Sequence, residues 1–222
     1  MVEAYINQIA TAVPEHDVHR KFLDYAPSLL SDERQRNLLR RMANRAQIEH
    51  RYSFLKPHPE DKGFDADGFY KPGAFRDTQT RMRFYERHAL TLAIRALDQL
   101  NFAAHSDSIT HLILTTCTGF YAPGIDMQVV EHYGLDPSAE RTVIGFMGCN
   151  AGLNALKLSR HILRSEPSSK VTILNLELCT LHLQETNDLE QMLSFLIFAD
   201  GCSASLVSAQ PSELNCKALP RR

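Results

Sequence analysis

From residue 111 onward the chain alternates between short apolar runs and longer segments of helical period, and no other feature limits the fold more. HLILTTC (111–117), RTVIGFMG (141–148), KVTILNLELC (170–179) and CSASLVSA (202–209) read as strands. GIDMQVVEHYGL, the stretch 151–163 and DLEQMLSFLIF read as the helices between them. A strand buried on both faces is a continuous apolar run, and three of the four have that form. Strands interleaved with helices form a layered α/β sheet. With 222 residues, 44% of them apolar, the chain can bury one good core or two small domains.

The first hundred residues lead into this pattern. VEAYINQIATAV (2–13) is an opening strand. SDERQRNLLRRMANRA (31–46) is a helix, with Asp32 and Gln35 as a capping-box variant and Leu38, Leu39, Met42 and Ala46 as its apolar stripe. The Gly/Pro/Asp-rich stretch 56–78 is a long loop, a kind that is usually functional or mobile. RMRFYERHALTLAIRALDQL (81–100) is a long helix. Asp200-Gly201 reads as a turn into the last strand.

Bulk properties exclude several functions. A formal net charge of −2 gives no field for nucleic acid or an anionic membrane. No apolar stretch approaches the roughly 20 residues that span a bilayer. The start, MVEAYINQIATAVPEHD, lacks the features of an export signal. The five cysteines (Cys117, Cys149, Cys179, Cys202 and Cys216) form no CxxC pair. That pattern points away from zinc and toward reduced thiols in the cytoplasm.

Cys149 stands at the seam between strand 141–148 and the helix that follows. Two readings are open. Cysteine is a common small core residue. Alternatively, the first helical turn presents unpaired N–H groups that favour the attacking thiolate form. Gly148 permits an unusual backbone, and Ala151 and Gly152 leave room for a substrate, as in a nucleophile elbow. Leu153, Leu156, Leu158, Ile162 and Leu163 are expected to bury the helix. Among the histidines, His161 lies about 18 Å along the same helix and cannot reach the thiol. His132 and His88 belong to exposed helical patterns, and His16, His19, His50, His58 and His105 have nothing to distinguish them. His182, after strand 170–179, is the candidate at the same sheet edge, or else an ordinary loop histidine.

TTCTGFYAPGID, GFMGCNAG, LNLELCTLHLQ and FLIFADG, in this order, resemble the N-terminal half of the chalcone/stilbene synthase group, the type III polyketide synthases, in bacterial form. The resemblance runs from about Ile6 to Ala209. It implies a thiolase-like α/β fold, the N-terminal half of a duplicated, layered α-β-α unit, as one domain over 1–209 with a divergent tail at 210–222. It implies a cytoplasmic acyltransferase that condenses malonyl-CoA, with loss of CO₂, onto an acyl-CoA starter. Coenzyme A thioesters are then substrates, with no cofactor permanently bound, no metal, and a second copy of the chain as partner. Cys149 matches the nucleophile that holds the acyl group, and Phe198 the aromatic gatekeeper between CoA tunnel and cavity. Cys117, Thr118, Glu177, Cys179 and His182 match cavity-wall positions. Arg41 and Arg45 match positions that grip CoA phosphates; with Arg34 they lie along one helical stripe, which alone would read as a solvated basic face. Ala122 falls where plant members place a methionine that enters the partner subunit's cavity.

The group's members are longer, and their second half supplies a histidine and an asparagine that stabilise the enolate and the thioester oxygen. After Ala209 the likeness stops, and PSELNCKALPRR reads as an unrelated ending. The expectation from this is a truncated or frameshifted chain. A ketoacyl synthase III-like condensing enzyme and a non-catalytic remnant that only binds acyl-CoA or dimerises are the alternatives.

Overall fold

The computed structural model describes residues 2–60, 63–212 and 217–218. Most of the tail expected at 210–222, Cys216 included, lies outside the described residues. The chain folds as two compact units, each assembled from separated stretches.

The first unit takes Met1–Ala12, Glu86–Glu177 and Gly201–Arg222. Strand β1 (Tyr5–Ala12) opens it. Two residue pairs, β2 (His16–Asp17) and β3 (Tyr52–Ser53), and helices α1 (His19–Tyr25) and α2 (Glu33–Ala46) belong to the second unit. Helix α3 (Thr78–Asp98) begins there and continues into the first unit, which then runs through β4 (His111–Thr115), α4 (Ile125–Tyr133), β5 (Glu140–Ile144), α5 (Asn150–Ser165) and β6 (Lys170–Leu178). After α6 (Leu189–Ile197) come β7 (Asp200–Ser208) and the short β8 (Lys217–Ala218). The sheet order is β5-β4-β6-β7-β1-β8. β4 pairs in parallel with β5 and β6, and β1 pairs antiparallel with β7 and β8.

β4 is buried at every position, as a central parallel strand should be. β5 departs from expectation: it is an edge strand, exposed from Glu140 to Val143. An apolar run specifies a strand but not its place in the sheet. α5 departs at one expected position: Leu163 is buried and Leu156, Leu158 and Ile162 pack against the core, but Leu153 is 66% exposed, and the fully buried ridge also takes in Ala151, Ala155 and Ser159. Small residues at four-residue spacing let the helix lie close on the sheet. Ala155 and Leu163 pack there with Ile113, Val171, Ile173 and Val207.

The second unit takes Val13–Tyr85 and Leu178–Asp200. In α2 the Asp32 carboxylate accepts from the Arg34 N–H at 2.8 Å, so the expected N-cap is present. The box does not close, since Gln35 Oε1 has no partner among the described residues. Leu39 and Ala43 are the buried residues of α2, and Leu38, Met42 and Ala46 are exposed, so the expected stripe was out of phase by about one residue. The long loop is pinned to its unit. Phe64, Phe69 and Tyr70 are buried in a chain of ring contacts that includes Phe22 and Tyr25. Asp65 accepts from the N–H groups of Phe69 and Tyr70 at 2.8 and 3.0 Å.

Candidate active site

Parallel register gathers the first unit's candidates at one sheet edge. β4 pairs Thr115 with Asn175 of β6 and with Ile144 of β5, so residues just beyond these positions leave from the C-terminal edge. Cys117 and Glu177 come together there. The Cys117 N–H lies 2.9 and 3.0 Å from the two Glu177 oxygens, and the Thr118 hydroxyl donates to Oε2 at 2.7 Å. Burial pushes the Glu177 carboxyl upward in pKa, and these donors offset the effect without cancelling it. Three of the expected cavity-wall residues thus form one hydrogen-bonded group.

Cys149 follows β5 at the same edge. Its sulfur belongs to the N-cap residue of α5, and the residue is exposed. The turn before it is tight: Phe146 and Gly148 both lie in the left-handed region, at φ 56° and 57°. Glycine tolerates that conformation, but a phenylalanine there is an outlier that its surroundings must hold. Phe120 does so. Its ring stacks on Phe146 at 4.4 Å and 15°, and it lies so close to Gly145 that a Cβ there would stand 2.7 Å from ring carbons. Ala151 and Gly152, expected to leave room for substrate, also take part in packing. Ala151 is buried, and a Cβ on Gly152 would meet Asn175 Oδ1 at 3.4 Å. Asn175 is itself tied to Thr115 and Ser203.

The remaining candidates lie in the second unit. Cys179 and His182 begin and end a single 3-10 turn. Phe198 is the C-cap residue of α6 and lines a narrow cleft with Cys179, Arg51, Phe22, Phe64 and Phe195. Arg41 and Arg45 are exposed on α2. The larger open groove of this unit, lined by Lys21, Asp24, Tyr25, Ser28 and Arg40, contains none of the expected site residues. Among the described residues no cluster of three or more His, Cys, Asp or Glu side chains could hold a metal ion. No described helix is long and apolar enough to cross a membrane.

Sequence reasoning missed a buried polar group in the second unit. His19, dismissed as undistinguished, is 4% exposed and accepts from Arg51 Nε at 3.0 Å. Asp200, taken as a turn residue, is the buried first residue of β7. It accepts from the Thr180 N–H at 2.8 Å and meets the Thr180 hydroxyl at 2.9 Å, which in turn lies 2.6 Å from the Ser53 hydroxyl. No single sequence window contains these partners. The one available signal was charge, Arg51 and Asp200, set against otherwise buried strand and helix ends.

Residues 2–211 match the family described as chalcone and stilbene synthases, N-terminal domain. The chain belongs to this family. The alpha-pyrone synthesis polyketide synthase-like protein Pks18 of Mycobacterium tuberculosis is 33% identical over 211 residues, 93% of this chain and 52% of that protein. The chain therefore spans about half the length of the curated relatives it matches along most of its own. Among solved structures, 1,3,6,8-tetrahydroxynaphthalene synthase from Streptomyces coelicolor A3(2) is similar, with a TM-score of 0.76 at 24% identity, over 92% of this chain and 57% of that one. The C-terminal type III polyketide synthase domain of Steely1 from Dictyostelium gives 0.77 at 24%, over 95% and 57%. The chalcone/stilbene synthase resemblance read from the motifs is correct, and the fold is the α/β, thiolase-like one it implied.

Proposed function

We propose that the chain carries the acyl-loading chemistry of a type III polyketide synthase. Cys149 Sγ attacks the carbonyl carbon of an acyl-CoA, the bond from that carbon to the CoA sulfur breaks, and CoA leaves as the thiol. Malonyl-CoA then loses CO₂, and the resulting enolate carbon bonds to the acyl carbonyl carbon. The bond from that carbon to Cys149 Sγ breaks, so that Cys149 leaves as thiolate and the extended chain stays on the CoA of the former malonyl unit. The observation that carries this reading is the elbow: an exposed cysteine at the N-terminus of α5, on a strained turn at the C-terminal edge of parallel strands. Helix N-termini favour anionic groups, and that edge is where open α/β sheets hold ligands.

The other assignments belong to the same reading. Glu177, held by Cys117 and Thr118, supplies a carboxyl that burial pushes up in pKa to the acyl-cavity wall of the first unit, and Cys179 and His182 take cavity-wall roles in the second. Phe198 gates the acyl chain, and the exposed Arg41 and Arg45 pair with CoA phosphates, a task suited to guanidinium. A second copy of the chain covers the exposed edge strand β5 together with Val143, Phe146, Met147 and Leu153, which are 45%, 84%, 49% and 66% exposed. The four described cysteines are all free, which fits a reducing cytoplasm.

The test is mass spectrometry of the 222-residue chain after incubation with an acyl-CoA. The acyl mass should map to the peptide containing Cys149 and disappear in Cys149→Ala. Loading of another cysteine, with residue 149 bare, overturns the proposal.

A further inference from the structure

The last carbonyl groups of a helix have no partner within it. At the end of α6 a single guanidinium takes two carbonyls. Arg51 Nη1 donates to the carbonyl oxygen of Phe195 at 2.5 Å and to that of Phe198 at 2.9 Å. A cation in this place also suits the negative end of the helix dipole.

Arg51 is itself fixed on every side. It is 4% exposed, and its guanidinium lies over the Phe22 ring at 4.3 Å. Its Nε donates to His19 Nδ1, its N–H donates to Asp17 Oδ1 at 3.2 Å, and its carbonyl accepts from the Val18 N–H at 2.8 Å. His19 can accept only while Nδ1 is unprotonated; burial, first, and the nearby guanidinium, second, hold its pKa down. The side chain is thus a fork held by partners other than Phe198. Phe198, at φ −83° and ψ 140°, leaves the helix at the point the fork grips, and Phe195 and Phe198 line the same cleft as Arg51.

We propose that Arg51 is a positioning residue for Phe198: by holding the carbonyls of Phe195 and Phe198 it sets the direction of the Phe198 ring, and so the passage of the acyl chain that the ring admits. The second half of that statement rests on the gate reading above. Lysine is the informative substitution, because it keeps the positive charge but gathers its donors on one rotatable nitrogen, without the separate Nε that reaches His19 or the fork's fixed plane. Nη2 of Arg51 has no partner among the described residues, so the fork's grip comes from Nη1 and Nε alone.

Two readouts separate the parts. The first is the ¹⁹F resonance of 4-fluorophenylalanine placed at position 198 in the full chain. It should be a single narrow line with Arg51 present and broaden or split in Arg51→Lys. Leu55→Ala, a core truncation at a residue outside the clamp, should leave the line narrow. A line unchanged in Arg51→Lys, or one equally disturbed in Leu55→Ala, overturns the proposal. The second readout is the ratio of Cys149 acylation by an acyl-CoA to its alkylation by iodoacetamide. Arg51→Lys should lower this ratio about tenfold, the scale of one charge-assisted hydrogen bond. A changed resonance with an unchanged ratio overturns the role in passage. A native chain that alkylates but never acylates overturns the proposed function, and the clamp is then decided by the resonance.

Discussion

Removing one carboxylate from the second unit should change how stability depends on pH. Asp200 is 3% exposed, and burial raises its pKa from 3.8 to about 7 in spite of bonds from the Thr180 N–H and hydroxyl and a long contact of 3.4 Å from the Phe54 N–H. Desolvation outweighs those donors. At neutrality or below, the protonated acid can donate from Oδ2 to Thr180 Oγ1, whose own hydrogen then turns to Ser53 Oγ. A group with its folded pKa raised contributes stability that is fully present below pH 3.8 and is lost as pH rises through about 7. At about 1.4 kcal/mol for each tenfold change in proton affinity, the loss totals on the order of 4 kcal/mol. Against a usual unfolding free energy of roughly 5–15 kcal/mol, that is a large fraction.

The assay is urea unfolding followed by circular dichroism at pH 5, 6, 7, 8 and 9, for the native chain and for Asp200→Asn. Asparagine keeps one oxygen for the Thr180 N–H but faces the Phe54 N–H with its amide NH2, donor against donor, a pH-independent penalty of about 1 kcal/mol. Slopes are therefore compared, not absolute values. Two other groups titrate in both chains and cancel in the difference. Glu177 is raised and has the same sign as Asp200; His19 is lowered, so its contribution is lost as pH falls below its unfolded 6.5. The native chain should lose stability relative to the variant between pH 5 and 7, then run parallel to it above pH 8. Parallel curves throughout would mean that Asp200 is ionised inside the fold, and the argument that burial beats its donors would be wrong.

Iodoacetamide should label Cys149 first and leave Cys202, 4% exposed with its thiol pushed up to about 12 by burial, unlabelled until urea unfolds the chain; peptide mapping by mass spectrometry gives the order. Gly148→Ala, at φ 57°, should cost about 1–2 kcal/mol of stability and slow labelling of Cys149 severalfold, and an unchanged labelling rate would show that the turn does not aim the thiol. Replacing Arg41 and Arg45 together by glutamine should reduce retention on immobilised CoA, with the native chain eluting at higher salt than the variant, since exposed pairs of this kind are screened within ~10 Å at 0.1 M salt. Adding negative charge to the exposed edge strand, by Val143→Glu, should shift the chain to a lower mass in light scattering if a second copy covers β5.

Elements were legible in the sequence where local pattern decides them. β4, β6, β7 and helices α2 to α6 all fall where apolar runs and helical periods put them. Placement was not legible, because it depends on neighbours far away in sequence. The run Val143–Met147 looks as buried as Leu112–Leu114, yet β5 has a strand on one side only. α5 has two apolar stripes, one of leucines and one of small residues, and sequence pattern favours the larger side chains. Close approach to the sheet favours the smaller. α1 was missed because its seven residues, HRKFLDY, carry too short a period to stand out. The family motifs named a set of candidate positions, of which Cys117, Thr118 and Glu177 meet in one hydrogen-bonded group. That hydrogen bonding was not legible, since Cys117 and Glu177 lie sixty residues apart and meet only through strand register.

The features that broke local rules stand beside the residues to which the resemblance gives roles. Phe146, left-handed where a bulky side chain should not be, is three residues before Cys149. Asp200, a buried acid, is two residues after Phe198, and Arg51, a buried cation, holds that residue's carbonyl. Each is individually unfavourable: a strained backbone, a desolvated carboxyl, a desolvated guanidinium. A chain selected for stability alone would replace them with residues that suit their surroundings. Sequences agree with their folds level by level except where function requires otherwise. These three departures therefore lie beside the residues that the proposed function makes nucleophile and gate. The buried residues Leu92, Leu97 and Leu174, which follow the pattern, hold only the scaffold of the first unit.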